Sequence, residues 1–182
     1  VVIAATPNNS SIARIATEGQ PPIEVDLSAD QKISDPKWSH YLCGVIQGFR
    51  DLSYAIPGFD AYITSSVPLG AGLSSSAALE CAFATLLEGL VDTVLATQDK
   101  ALLAQKAEHD FAGVPCGIMD QFASAFGVKD QLILIDCQSG EPEMIPFSNP
   151  SLSIIVANTC VSHDLSDGGY AARRKSTEDA LA

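Results

Sequence analysis

The sequence predicts a mixed α+β fold in a single domain. Segments of strand-like composition and segments with helical periodicity both occur along the 182 residues. Hydrophobic residues make up 47% of the chain and charged residues 18%, which is typical of a folded globule. The sequence has no internal repeat, low-complexity stretch or composition shift that would mark a linker. We therefore expect one domain.

Strands and one helix are predicted in the first third of the chain. Residues 1–5 and 11–17 have the composition of short strands around a Pro-Asn-Asn turn. A polar loop that contains prolines follows, and residues 38–49 then carry apolar side chains at the spacing of an amphipathic helix. Residues 59–67 are β-rich and lead into a glycine-rich turn at residues 68–72.

The rest of the chain is predicted to be mainly helical. Helical patterns occur at residues 74–90, 101–111 and 117–126. Gly113 and Pro115 end the second of them, because glycine and proline commonly follow a helix C-terminus. Two further strands are predicted at residues 132–136 and 152–157, and a last helix at residues 169–182.

The net charge and the cysteines restrict the possible functions. Ten basic against 22 acidic residues give a formal charge of −12, which disfavours nucleic acid. The same charge means that an anionic substrate needs a local neutralising site and a metal ion. The five cysteines are odd in number and lack CxxC spacing, so neither a disulfide framework nor a zinc site is indicated. With no apolar run near about 20 residues, we expect a cytoplasmic protein without membrane contact.

The most informative segment is the turn between a predicted strand and a predicted helix. Glycines allow the backbone to approach a ligand closely. The N–H groups and the dipole at the start of a helix favour an anion. The nucleotide-binding candidates of this segment are Pro68, Gly70, Ala71, Gly72, Leu73, Ser74, Ser75 and Ser76. The alternative is a glycine-rich turn with a serine cap and no ligand.

Two common phosphate-binding motifs do not fit this turn. The GK[ST] ending of a P-loop and its lysine are absent, and no third glycine follows at the spacing of a dinucleotide fingerprint. Backbone dipoles and a metal ion would therefore have to neutralise the phosphates.

The stretch PLGAGLSSSAALE, residues 68–80, resembles the second signature motif of the GHMP kinases (galactokinase, homoserine kinase, mevalonate kinase and phosphomevalonate kinase). Its triple serine is most similar to the galactokinase branch. The resemblance implies a two-layer N-terminal domain of the ribosomal protein S5 domain 2-like group, with a mostly antiparallel sheet against helices. It also implies a loop that wraps the phosphates of ATP and a Mg²⁺ ligand at Ser76.

Asp120 is a candidate catalytic residue. It lies in the first turn of a predicted helix, where the dipole and the nearby N–H groups favour a carboxylate. Such a carboxylate could orient a hydroxyl group or accept its proton during phosphoryl transfer. From the residues alone, a simple capping aspartate is an equally good interpretation.

The run EHDFAGVPCGIMDQ, residues 108–121, is similar to the galactokinase segment that ends at its catalytic aspartate. This resemblance implies that Asp120 is catalytic and contacts the sugar. It further implies that Glu108 is the second protein ligand of Mg²⁺, and that the backbone of Gly117 contacts the sugar.

Two aromatic residues are further binding candidates. Tyr170 lies in a segment that resembles the galactokinase strand-loop-helix whose tyrosine contacts the sugar, or it is a half-buried aromatic at a helix start. Trp38 lies in WSHYLCGV, similar to the family's WxNYVxGV, and faces the adenine or belongs to the core.

The resemblance also predicts what the chain lacks. It implies that residues 1–182 are the ATP- and sugar-binding N-terminal domain, truncated at both ends, and packed in the whole protein against a C-terminal domain. The family's first motif, RVNLIGEHTDY-like, would precede Val1. We therefore expect ATP-dependent galactose phosphorylation, part of galactose metabolism, from the whole protein and no activity from these residues alone. A sibling kinase acting on arabinose or N-acetylgalactosamine, and a non-catalytic sugar sensor, remain alternatives.

Overall fold

The computed structural model describes residues 1–31, 36–158 and 169–181, apart from the side chains of residues 170 and 171. In this part of the chain, helices cover one face of a main sheet, and a separate β-hairpin follows. The strands of the main sheet are β1 (Val2–Pro7), β2 (Ile12–Thr17), β3 (Ile23–Asp26) and β4 (Phe59–Thr64). The mixed α+β fold predicted from the sequence is confirmed.

The strand order of the main sheet is β1-β4-β2-β3. The pairs β1/β4 and β2/β3 are antiparallel, and β2/β4 is parallel, so the expected mostly antiparallel sheet is confirmed. The turn after β1 is not a hairpin, because β4 lies between β1 and β2. Asn8 stabilises this crossing, since its Nδ2 donates to Asp60 Oδ1 at 2.9 Å. β3 lies in the segment that was predicted from the sequence to be a loop.

Helices pack on one face of this sheet. In the described residues they are α1 (Ser39–Asp51), α2 (Ser75–Leu90), α3 (Thr97–Ala107) and α4 (Met119–Phe126). A further helix, α5 (Gly169–Leu181), is exposed wherever its side chains are described and is not part of this layer. Phe49 of α1 and Phe83 of α2 are fully buried with Phe59 of β4 in the hydrophobic core. Gly44 permits close packing of α1 on α3, because a Cβ there would lie 2.6 Å from the Cβ of Ala107.

The segment after α3 differs from the predicted helix at residues 101–111. The helix begins earlier, at Thr97, and ends at Ala107, where the backbone widens into a π-helical turn, Glu108–Ala112. Gly113 ends this turn in the left-handed conformation, with φ 72°. Such π-helical turns are rare and frequent at functional sites.

The prediction of a strand at residues 152–157 is wrong. These residues are unpaired, and Ile154 and Ile155 are 71% and 87% exposed. The neighbouring sheet is instead a hairpin of β5 (Gln131–Asp136) and β6 (Glu141–Pro146), and the sequence did not predict β6. β-propensity indicates a side chain that suits a sheet, but not whether a partner strand is available. Among the described residues, every helix is too short or too polar to cross a bilayer.

Candidate functional site

The glycine-rich turn forms an exposed loop between β4 and α2. Gly70 and Gly72 have φ values of 67° and 70°, in the left-handed region that glycine adopts without a steric penalty. Ser74 has φ 55° and is also left-handed, which is uncommon for a residue with a Cβ. Backbone strain of this kind is typical of ligand-binding turns. A Cβ at Gly72 would meet no atom within 4 Å, so the space beside the loop is open.

The first turn of α2 follows this loop directly. Ser74 is the N-cap residue, but its side chain makes no capping hydrogen bond. The helical ladder begins with the bond from Ala78 N to Ser74 O, at 3.0 Å. The preceding N–H groups of an α-helix have no partner within the helix and favour a bound anion. The loop itself contains neither lysine nor arginine.

Ser76 and Glu108, the two metal ligands implied by the family resemblance, lie together. Ser76 Oγ donates to Glu108 Oε1 at 3.0 Å, although 32 residues separate them in sequence. Glu108 is 2% exposed. The first turn of α2 supplies the hydroxyl group and the π-helical turn supplies the carboxylate, so the fold brings two separate sequence motifs into one site.

Two residues of this site were not predicted from the sequence. Gln121 of α4 donates from Nε2 to Glu108 Oε2 at 2.7 Å, and the same nitrogen lies 3.4 Å from Glu80 Oε2. Glu80 and Gln121 are both fully buried, and Oε1 of each has no hydrogen-bond partner in the part of the chain that the structure describes. Glu80 follows Ser76 by four residues, one helical turn, so a carboxylate on the same helix face as Ser76 was the available signal.

Burial dominates the electrostatics of the two carboxylates. It raises the pKa of Glu80 well above the usual range, and the neighbouring charge of Glu108 raises it further. Burial also raises the pKa of Glu108, while hydrogen bonds from Ser76 and Cys116 oppose this effect and the charge of Asp120 adds to it. The pKa of the Cys116 thiol rises to about 12, mainly through burial. A bound cation would lower the cost of keeping these carboxylates ionised.

The donor set fits a magnesium ion held jointly with phosphates. Adjacent oxygen ligands of an octahedral Mg²⁺, each about 2.1 Å from the metal, lie about 3 Å apart. Ser76 Oγ and Glu108 Oε1 are 3.0 Å apart. The described residues contain no group of three or more His, Cys, Asp and Glu that could hold a metal. Where phosphates and water complete the octahedron of Mg²⁺, the protein usually contributes about one or two oxygen ligands.

Asp120 lies beside this pair. It is the second residue of α4 and is half-buried. Its charge raises the pKa of Glu108, so the two carboxylates are within electrostatic reach of each other. Successive helix residues point about 100° apart, and Gln121 accordingly faces the interior while Asp120 remains accessible. Gly117 is exposed in the loop just before α4.

The remaining candidates lie at the edges of the described structure. Trp38 precedes α1, packs against the core and donates from its indole N–H to Pro21 O at 3.3 Å. Its contact with adenine stays a prediction. Tyr170 belongs to α5, but its side chain lies outside the described residues. Arg174 of α5 donates to Pro115 O at 3.1 Å and so connects that helix to the loop before α4.

Comparison with known families identifies the domain type. Residues 40–128 match the family model described as GHMP kinases N terminal domain. This range includes the glycine-rich loop, the π-helical turn and the start of α4.

Curated relatives are similar over most of this chain. It is 46% identical to galactokinase from Homo sapiens over 144 residues, which cover 79% of this chain and 36% of the human protein. It is 40% identical to galactokinase from Pyrococcus furiosus over 158 residues, 87% of this chain and 45% of that protein. The chain therefore spans less than half the length of these relatives.

Solved structures agree on the fold. The structure of Lactococcus lactis galactokinase complexed with galactose superposes with a TM-score of 0.86 at 31% identity, over 98% of this chain and 47% of that one. Methanococcus jannaschii mevalonate kinase superposes with a TM-score of 0.60 at 19% identity, over 68% of this chain and 40% of that one. The second likeness concerns the fold alone.

Proposed function

This chain carries the N-terminal domain of the GHMP kinase family, and on that premise we propose that the whole protein transfers the γ-phosphate of ATP to the anomeric hydroxyl of galactose. The single observation that carries the proposal is the Ser76–Glu108 pair. In this pair, a hydroxyl group at the end of an anion-favouring loop is hydrogen-bonded to a buried carboxylate, and their separation also suits two oxygen ligands of one magnesium ion.

The loop supports the binding of a triphosphate. Its left-handed glycines keep the backbone close to a ligand, and the uncapped start of α2 offers N–H donors. Because the loop has no basic side chain, Mg²⁺ would supply the positive charge that the γ-phosphoryl group needs during transfer. Ser76 and Glu108 would hold that ion together with oxygens of ATP.

Asp120 is the proposed catalytic residue. It is accessible at the start of α4 and lies within electrostatic reach of Glu108. In the proposed reaction, the anomeric oxygen of the sugar forms a bond to the γ-phosphorus, and the bond to the β,γ-bridging oxygen of ATP breaks. Asp120 orients the hydroxyl group and accepts its proton, and ADP leaves with the bridging oxygen.

Galactose is the proposed sugar because the curated relatives are galactokinases and the Lactococcus lactis structure is described as a galactose complex. Gly117 and Tyr170 are the proposed sugar contacts on this chain. Gly117 lies three residues before Asp120, so its backbone can approach the same sugar without a side chain between them.

The complete protein that carries this chain provides the test. Sugar phosphate formation is measured with Mg²⁺, ATP and a panel of galactose, arabinose and N-acetylgalactosamine. We expect galactose to be the preferred substrate, and Asp120→Asn to lower kcat by about 10²- to 10⁴-fold. Asp110→Asn is the matched control, because Asp110 lies on the neighbouring π-helical turn and forms an exposed ion pair with Lys106.

Three outcomes would contradict the proposal. Preference for another sugar would assign the protein to a sibling kinase. Tight binding of ATP and galactose without product would indicate a sensor. Near-normal turnover of Asp120→Asn would remove Asp120 from the reaction.

A further inference from the structure

The side-chain amide of Gln121 joins the two buried carboxylates of the site. Its Nε2 lies 2.7 Å from Glu108 Oε2 and 3.4 Å from Glu80 Oε2. Nε2 also lies 3.7 Å from Cys116 Sγ, and the amide oxygen has no hydrogen-bond partner among the described residues. An amide nitrogen facing two carboxylates can donate one hydrogen to each, whereas the amide oxygen in that place would face two acceptors. The orientation of Gln121 is therefore determined by its neighbours.

The two oxygens of Glu108 consequently have different partners. Oε2 accepts from Gln121, and Oε1 accepts from Ser76. A carboxylate without such a bond can rotate and present either oxygen. Here the amide of Gln121 restrains Oε2 and leaves Oε1 on the side of Ser76, where the loop and α2 begin. The Cys116 thiol also bonds this carboxylate and is a second restraint.

We propose that Gln121 is a positioning residue, which holds Glu108 so that Oε1 faces the magnesium ion of bound Mg-ATP. The inference rests on the proposed function, because it assumes that Ser76 and Glu108 bind this ion. Groups that hydrogen-bond to a metal ligand fix its orientation, and their loss weakens metal binding. Gln121 is fully buried and bonds the other oxygen of Glu108, so its effect on the ion would be exerted through Glu108.

Glu80 restrains the side-chain amide of Gln121. It is fully buried on α2, and its described contact is with the same nitrogen of Gln121. If the amide turned over, it would lose its donor bond to Glu108 and, when Glu80 is ionised, its bond to Glu80 as well, so rotation of Gln121 is costly. Glu80 thus restrains Gln121, and Gln121 restrains Glu108.

The position of Gln121 in α4 adds to its effect. It directly follows Asp120, the proposed catalytic residue, so one helical turn carries both the group that faces the sugar and the group that orients the metal ligand. Loss of the amide should change metal binding while Asp120 keeps its place at the start of α4.

The test uses Gln121→Met in the complete protein, because methionine keeps the length and volume of the side chain and removes the amide. Two quantities are measured: the free Mg²⁺ concentration for half-maximal rate at saturating ATP, and Mn²⁺ binding with ATP by electron paramagnetic resonance. We expect both to show metal binding weakened about 10- to 100-fold. ATP binding without metal should be unchanged, since the loop is intact.

Gln98→Met is the matched control. Gln98 also donates an amide hydrogen bond, from Nε2 to Gly140 O at 3.1 Å, but it lies at the other end of α3 from Glu108. The same substitution there should leave the metal titration unchanged. If Gln121→Met is poorly folded because Glu80 has lost its partner, the double variant Glu80→Met with Gln121→Met removes the buried carboxylate and the amide together.

The outcomes separate this inference from the proposed function. A folded Gln121 variant with the metal affinity of the unsubstituted protein overturns the positioning role, even if galactose is phosphorylated. Mn²⁺ binding with ATP but no sugar phosphate overturns the proposed function, while the metal titration still decides the role of Gln121. An unsubstituted protein that binds no Mn²⁺ with ATP overturns both.

Discussion

Each half of α2 carries a buried glutamate, but the two carboxylates differ in their partners. Near the C-terminal end, Glu88 is 6% exposed and its carboxylate lies 2.7 Å from Lys100 Nζ. It also accepts from Leu95 N at 2.8 Å. Near the N-terminal end, Glu80 is fully buried, with a second carboxylate nearby and one unpartnered oxygen. Among the residues that the structure describes, Glu88 has a cation as partner, whereas Glu80 has only the amide of Gln121.

This difference distinguishes a structural ion pair from a candidate metal site within a single helix. A buried carboxylate paired with a cation and an N–H group is a structural feature, and breaking the pair costs stability. A pair of buried carboxylates that lacks a basic partner is costly in the free protein, and a bound cation would reduce that cost. The N-terminal end of α2 is thus suited to a metal ion, and the C-terminal end to holding α3.

The largest effect should come from removing a carboxylate at the N-terminal end. We expect Glu108→Ala to lower kcat/KM by about 10³-fold, about 4 kcal/mol of transition-state stabilisation, because the proposed magnesium ion would lose one of its two proposed protein ligands. Rates at increasing Mg²⁺ measure the change. Glu88→Ala should leave the rate of the folded fraction unaltered, and comparable losses in both variants would abolish the distinction between the two ends.

A large effect on stability is expected at the other end. Lys100→Met leaves Glu88 buried without its cation and should lower the free energy of unfolding by about 3 kcal/mol. Urea unfolding of the complete protein measures this. Lys106→Met is the control, because its ion pair with Asp110 is exposed and should contribute about 0–1 kcal/mol. Equal effects would mean that the Glu88–Lys100 pair is not structurally important.

Two glycines near the ends of α2 should respond to alanine with opposite signs. Gly72 has φ 70°, so Gly72→Ala should cost about 1–2 kcal/mol of backbone strain and weaken ATP binding. Gly89 lies inside α2, where a Cβ would meet no atom within 4 Å, so Gly89→Ala should add about 0.5–1 kcal/mol. Thermal unfolding and ATP titration distinguish them, and a stabilising Gly72→Ala would contradict the left-handed loop.

The smallest effect concerns the pH dependence of stability. Because the folded pKa of Glu80 is raised above its usual 4.5, its contribution to stability is fully present below that value and is lost as pH rises towards the folded pKa. Metal-free urea unfolding at about pH 5 and about pH 8 should therefore show a smaller decrease for Glu80→Gln than for the unsubstituted protein. An identical decrease in both would mean that Glu80 titrates normally in the folded state.

Local patterns predicted the helices better than the strands. The helices at residues 38–49 and 74–90 were predicted to within two residues, because the amphipathic period of a helix depends only on residues close together in the sequence. β3 and β6 were missed, and the strand at residues 152–157 was wrong. A strand needs a partner from elsewhere in the chain, and the apolar composition of residues 152–157 carries no information about one.

The site residues show the same contrast between what neighbouring residues predict and what distant residues decide. The loop and the positions of Ser76, Glu108 and Asp120 were predicted through motifs, whose residues are adjacent in sequence. Gln121 and Glu80 were not, because the role of each depends on the other, 41 residues away.

The sequence by itself determined most of the helices, but not the bounds of α3. It also determined the lysine-free loop before α2 and the motifs that indicate a GHMP kinase, since each depends on residues close together in the chain. Only the tertiary structure decided that β4 lies between β1 and β2, and that Ser76 and Glu108 meet at 3.0 Å. It also decided that Gln121 reaches Glu108, and that the described residues place no cation against Glu80. Distances between separate segments follow from packing of the whole core, which no local pattern specifies.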